Sequence, residues 1–117
     1  HKVNVKMMEE YLTYTGAQVD TVYDGTYALD MFSEKGEGYY DVILMDVRMP
    51  RMDGCEASRR IRSMNSDYAK NIPIIALSAN AFFEDRKKSK EAGINSHLAK
   101  PVKYYEVYDE LEKWFNR

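Results

Sequence analysis

Three residues in this chain have the types and the settings that phosphorus chemistry asks for. Asp46 ends the apolar run of residues 42–45 in "DVILMDVRMPRMDG", Ser78 ends residues 74–77 in "IPIIALSAN", and Lys100 closes "SHLAKP". A carboxylate can attack phosphorus and carry the phosphoryl group as an acyl phosphate. Such a transfer asks a protein mainly for positioning and for neutralising charge on the equatorial oxygens. A lysine supplies a point charge for one oxygen, and a hydroxyl supplies a hydrogen bond. Taken singly, each residue has a plainer reading: a strand-ending surface carboxylate, a loop-capping serine, a solvated lysine. The set of three favours the chemical one. A divalent cation would complete it, and Mg²⁺ usually takes one or two carboxylates plus phosphate and water.

The elements that must hold these residues alternate between helical and extended patterns. Asn4 caps a helix carrying Val5, Met8 and Leu12 and ended by Gly16, and "AQVDTVYDG" reads as a short strand stopped at Asp24-Gly25. Ala28, Leu29, Met31 and Phe32 mark a second helix. Residues 42–45 are apolar throughout, as in a strand covered on both faces of a parallel sheet. Ala57, Ile61 and Met64 mark a third helix, with Asp53 as a turn residue and cap. A buried strand follows at residues 74–77, then the charged helix "FFEDRKKSKEAG" and the short strand "SHLAKP". Tyr104, Val107, Tyr108, Leu111, Trp114 and Phe115 form a last helical stripe expected to face the core. Alternating strands and helices imply a doubly wound parallel sheet, whose chemistry gathers outside the strands' carboxyl ends. Asp46, Ser78 and Lys100 all fall there.

Length and composition agree. A chain of 117 residues suits one domain, and its 44% hydrophobic and 13% aromatic content argues against disorder. The net charge of −2, with both signs interspersed, gives no field for direct nucleic-acid or membrane contact. No apolar run approaches the roughly 20 residues of a membrane helix. The single Cys55 excludes an internal disulfide and fits a reducing compartment, so a cytoplasmic location is expected.

The segments "DVILMDVRMPRMDG", "IPIIALSANA" and "GINSHLAKPV", in this order and spacing, resemble the receiver domain of two-component response regulators. "ALSANA" is most similar to receivers attached to hybrid sensor histidine kinases. The resemblance implies a flavodoxin-like (βα)5 α/β fold for the whole chain, 1–117, and a set of roles. Asp46 would be the phosphoacceptor, taking its phosphoryl group from a phosphohistidine. Ser78 would be the switch hydroxyl and Lys100 the cationic partner. Asp46 and the backbone carbonyl of Arg48 would be ligands of Mg²⁺. Arg48 and Asn80 would tune autodephosphorylation, Pro50 and Gly54 would shape the loop after the acceptor strand, and Pro101 would follow a cis bond.

Two departures stand out. His97 occupies the place of a switch aromatic, which makes a weaker or pH-sensitive switch one expectation and an inert strand residue the other. The chain also begins where the segment after the family's first strand would lie, so that strand and its metal-binding acidic pair are expected to be missing. In the order 2-1-3-4-5 that strand is central, and its loss would separate its neighbours by about 9–10 Å. Omission from the chain is favoured over a strand donated by another molecule or elements exchanged in a dimer. Mg²⁺ affinity and phosphorylation are expected to be weak as a result.

The resemblance implies as partners a histidine kinase or histidine phosphotransfer protein, and a fused output or kinase domain. The domain itself would accept phosphoryl and lose it slowly, any kinase activity belonging to the parent. The alternative is a receiver-like interaction module that takes no phosphate. An aspartate-nucleophile phosphatase needs a second aspartate where Arg48 stands, and no phosphate loop supports a flavodoxin-like cofactor site. Arg59, Arg60 and Arg62, with Lys87, Lys88 and Lys90, read as solvated helix faces, and Cys55 as a small buried residue. Tyr104, Tyr105 and Tyr108 are candidates for a partner surface.

Overall fold

A computed structural model describes residues 2–49, 51–79 and 83–115. In chain order its elements are α1 (Lys2–Tyr14), α2 (Gly25–Lys35), β1 (Ile43–Asp46), α3 (Gly54–Arg62), α4 (Asp67–Asn71), β2 (Ile74–Ser78), α5 (Phe83–Glu91), β3 (Ser96–Ala99) and α6 (Tyr104–Phe115). The chain divides into two compact units, Val22–Lys100 and His1–Thr21 with Pro101–Arg117.

The unit Val22–Lys100 is built on a parallel sheet in the order β1-β2-β3. Each crossover runs through helices, α3 and α4 between β1 and β2, and α5 between β2 and β3. That is the alternation read from the sequence. All five residues of β2 are buried, as a continuous apolar run requires of a central strand. Met45, Ile74 and Ala76 meet Cys55, Ala57 and Ile61 of α3 in one apolar cluster. Ile61 is 1% exposed, and burying such a side chain fully contributes about 1.5–3 kcal/mol.

Local signals fix the helix starts. Asp53 caps α3 by accepting the Glu56 N–H at 2.9 Å, as expected, and Ser66 caps α4 through the Ala69 N–H at 3.0 Å. Asp24 caps α2 through the Thr26 N–H at 2.7 Å. The Asp24-Gly25 pair therefore starts a helix; its sequence reading as a strand stop missed that.

Arg62 departs from the solvated-face expectation. Its guanidinium donates to the Gly93 carbonyl at 3.0 Å, the Ala69 carbonyl at 3.0 Å and Asn95 Oδ1 at 2.8 Å. It thereby joins α3 to α4 and to the turn before β3. Arg59 and Arg60 do fit the expectation: they pair with Glu56, whose carboxyl they hold below its ordinary value.

Near the end of α2, Phe32 stacks on Tyr68 at 5.1 Å and on Tyr40 at 6.3 Å. The Tyr68 hydroxyl accepts the Tyr40 N–H at 2.8 Å. Desolvation raises the Tyr68 phenol above its ordinary pKa, with the Asp41 charge adding to it. A group that binds its proton more tightly when folded stabilises the fold below its unfolded pKa, about 10 for tyrosine. That contribution is lost as pH rises through the folded value. Thermal melts should therefore show wild type ahead of Tyr68→Phe at neutral pH and the gap closing above about pH 10. A gap constant with pH would contradict this.

In the other unit, α1 begins at Lys2, so Asn4 lies inside the helix and is not its cap. The C-terminal expectation holds: Gly16 takes φ +99°, and the Ala17 N–H closes the end on the Leu12 carbonyl at 3.1 Å. The strand expected in "AQVDTVYDG" does not form; residues 17–22 carry no regular structure. Extended residues become a strand only through a ladder, and among the described residues no strand pairs with them. The stripe on α6 is also corrected. Val107 is fully buried and Leu111 and Trp114 half-buried, but Tyr104 is 62% exposed, Tyr108 49% and Phe115 50%. A helical period tells which residues share a face, not whether that whole face is covered. Tyr104 instead packs its ring on Tyr11, centroids 5.0 Å apart.

Candidate functional site

Strand register brings the three chemical residues to one edge. Asp46 ends β1 opposite Leu77, Ser78 ends β2 opposite Ala99, and Lys100 follows β3 directly. Parallel strands share a direction, so all three carboxyl ends open on the same rim. The Lys100 N–H donates to the Ser78 carbonyl at 2.8 Å and continues the ladder one residue past β3. From there the Lys100 and Asp46 side chains reach toward each other and together bridge two strand spacings, about 9–10 Å in total. Its Nζ meets Asp46 Oδ2 at 2.6 Å. Both side chains are largely covered, at 17% and 15% exposed. Asp46 Oδ1 accepts the Arg48 N–H at 3.0 Å, so the chain turns back on the carboxylate immediately after β1.

Ser78 is 5% exposed and lies on the strand between the other two. His97 sits mid-β3, paired with Ala76 and half-buried. Arg48 is exposed. Pro50 and Asn80 lie outside the described residues, and Pro101 is exposed at a bend. Cys55 is buried as expected, its Sγ 3.7 Å from Ser89 Oγ.

Gly54 holds the rim together, for a reason the sequence hides. A Cβ there would stand 2.4 Å from the Asp46 carbonyl oxygen and 2.9 Å from Val47 Cα. The start of α3 thus rests on the backbone of the acceptor residue, and the Gly54 N–H donates to the Val47 carbonyl at 2.9 Å. Two further residues escaped sequence reasoning. Arg51 pairs with the buried Asp24 at 3.2 Å, and the Met52 carbonyl lies where a Cβ on Gly25 would be, 2.2 Å away. The cap signature at Asp24 was the one available signal.

The donor set falls short of a metal cage. Among the described residues no group of three or more His, Cys, Asp or Glu side chains converges. The rim offers the carboxylate of Asp46, whose oxygens already face the Arg48 N–H and the Lys100 ammonium. Among the described residues, no helix is long and apolar enough to cross a membrane.

Comparison with known proteins agrees with this geometry. A sequence model of the response regulator receiver domain matches residues 1–112. Hybrid signal transduction histidine kinase L of Dictyostelium discoideum is 34% identical over 113 residues, 96% of this chain and 7% of that protein. The Escherichia coli sensor histidine kinase RcsC is 35% identical over 102 residues, 87% of this chain and 10% of its own length. The chain thus spans a tenth or less of these two relatives. Among solved structures, the receiver domain of a Pseudomonas aeruginosa sensor histidine kinase superposes with a TM-score of 0.85 at 39% identity, covering 100% of this chain and 92% of that one. That structure holds a magnesium ion in its active-site cleft. With the parallel sheet and the match over nearly its whole length, this chain belongs to the response regulator receiver domains of two-component signalling, and its likeness is to those of hybrid histidine kinases.

Proposed function

We propose that Asp46 is the phosphoacceptor of this receiver, charged from a phosphohistidine on a histidine kinase or phosphotransfer protein. One Asp46 oxygen attacks phosphorus, the P–N bond breaks, and the imidazole nitrogen takes a proton in place of phosphorus. Hydrolysis reverses the state: water attacks phosphorus, the acyl P–O bond breaks, and carboxylate and inorganic phosphate result. Lys100 neutralises the added charge by moving from the carboxylate to a phosphoryl oxygen. Ser78 and His97 are the switch residues, and Arg48 and Asn80 tune the rate of hydrolysis. A cytoplasmic setting and a fused kinase or output domain complete the proposal. The observation that supports it most is the 2.6 Å contact between Lys100 and Asp46 across the sheet. Peptide mapping after incubation with a phosphohistidine donor tests it: the phosphoryl group is expected on Asp46, and modification elsewhere would refute the assignment.

A second reading, an interaction module that takes no phosphate, is favoured by the shortage of carboxylates at the rim among the described residues. For a cation the chain offers Asp46 and the Arg48 carbonyl. The ammonium of Lys100 competes for the same carboxylate. A magnesium titration should accordingly show weak, unsaturated binding at millimolar metal. Tight binding would sink this expectation and strengthen the phosphoacceptor reading.

A further inference from the structure

We infer that the Asp24–Arg51 ion pair is a latch that holds the segment after Asp46 against the start of α2 and so positions the acceptor. Asp24 and Arg51 are thereby positioning residues of the phosphoryl transfer, which rests on the function proposed above. Arg51 is the one non-glycine residue with positive φ among the described residues, at 62°. A long side chain keeps that backbone only where its surroundings impose it. Here the imposing contacts are visible. The Arg51 Nε lies 3.2 Å from Asp24 Oδ2, and its guanidinium covers the Tyr27 ring at 5.5 Å. Asp24 is 6% exposed and also accepts the Thr26 N–H, so its charge is pinned at the helix start, where the backbone dipole favours an anion. A buried carboxylate needs a cation, and Arg51, its side chain 64% exposed, supplies one from the solvent side.

The neighbouring residue is held independently. Gly25 lets the Met52 carbonyl lie directly on the first turn of α2, an approach any side chain would block. At its other end the same segment is tied to the acceptor, through the Arg48 N–H on Asp46 Oδ1 and the Gly54 N–H on the Val47 carbonyl. Residues 51–54, held against α2 through Arg51 and Met52 and against Asp46 and Val47 through Gly54, transmit a shift at one end to the other. The latch thus sets how the Arg48 N–H meets the reacting carboxylate.

Two variants separate charge from backbone. Arg51→Gly accepts the left-handed conformation and removes the cation. Asp24→Asn keeps an oxygen for the Thr26 N–H and removes the anion. The readouts are the rate of acyl-phosphate formation on Asp46 and amide hydrogen exchange at Arg48 and Gly54 in the unphosphorylated protein. Each variant should slow phosphorylation by about fivefold to tenfold, below the roughly 100-fold attached to a 1 Å misplacement. Exchange at Arg48 and Gly54 should quicken while residues 75–77 of β2 stay protected. The double variant should be no slower than either single one, because both remove one interaction. Arg51→Lys should recover part of the rate. Multiplying effects in the double variant, or unchanged exchange and rates despite a lowered melting temperature, would overturn the latch. If wild type itself takes no phosphoryl group, the proposed function fails, and faster exchange in both variants would still uphold the latch as what holds this segment.

Discussion

Asp46→Asn abolishes uptake of a phosphoryl group while leaving the protein folded. The amide has the shape of the carboxylate, and its oxygen still accepts the Arg48 N–H now seen at 3.0 Å. It lacks the anionic oxygen that attacks phosphorus. The loss is therefore all-or-none in intact mass after exposure to a small phosphodonor, and an adduct persisting in the variant would move the acceptor elsewhere. Stability changes less. The substitution removes the Asp46 charge that faces the Lys100 ammonium, and the pair is 17% and 15% exposed. The cost lies between the roughly 0–1 kcal/mol of a surface pair and the roughly 3–5 kcal/mol for breaking a fully buried one. A thermal melt verifies that missing uptake is not unfolding.

Gly54→Ala produces the second large effect, on stability. Two terms oppose each other. Alanine favours a helix interior over glycine by up to about 1 kcal/mol. Against it, the new Cβ would stand 2.4 Å from the Asp46 carbonyl oxygen, which is backbone and cannot rotate away. Overpacking of that kind costs about 1–3 kcal/mol, so the clash wins. The relief is a displacement of α3 or of the end of β1, either of which moves the acceptor. Denaturant melts should show the loss, and phosphorylation of the surviving folded fraction should slow. An alanine variant as stable as wild type would mean that α3 does not rest on β1 as described.

How much of this was legible in the sequence depends on the range of each signal. Strand positions at 43–46, 74–78 and 96–99 and the helices α3 and α6 follow hydrophobic period and punctuation, which are local; the body of α2 does too, but not its start at Asp24-Gly25. The segment at 17–22 failed because being extended is local but being a strand requires a partner. The face of α6 failed in part because periodicity aligns Tyr104, Val107 and Tyr108 without saying that Val107 alone of these is buried. Arg62 read as solvated because its partners, Gly93 and Asn95, lie about thirty residues away.

The sequence by itself determined the chemistry available at the rim. Residue type places a nucleophilic carboxylate, a hydroxyl and an ammonium after three apolar runs, and parallel strands must open all three on one edge. Only the tertiary structure decided what surrounds them. The Lys100–Asp46 contact, the rest of α3 on Asp46 through Gly54, and the Asp24–Arg51 pair each join residues at least eight apart in sequence. Propensity and period act over one or two turns, whereas such contacts exist only once close packing has set distances between elements.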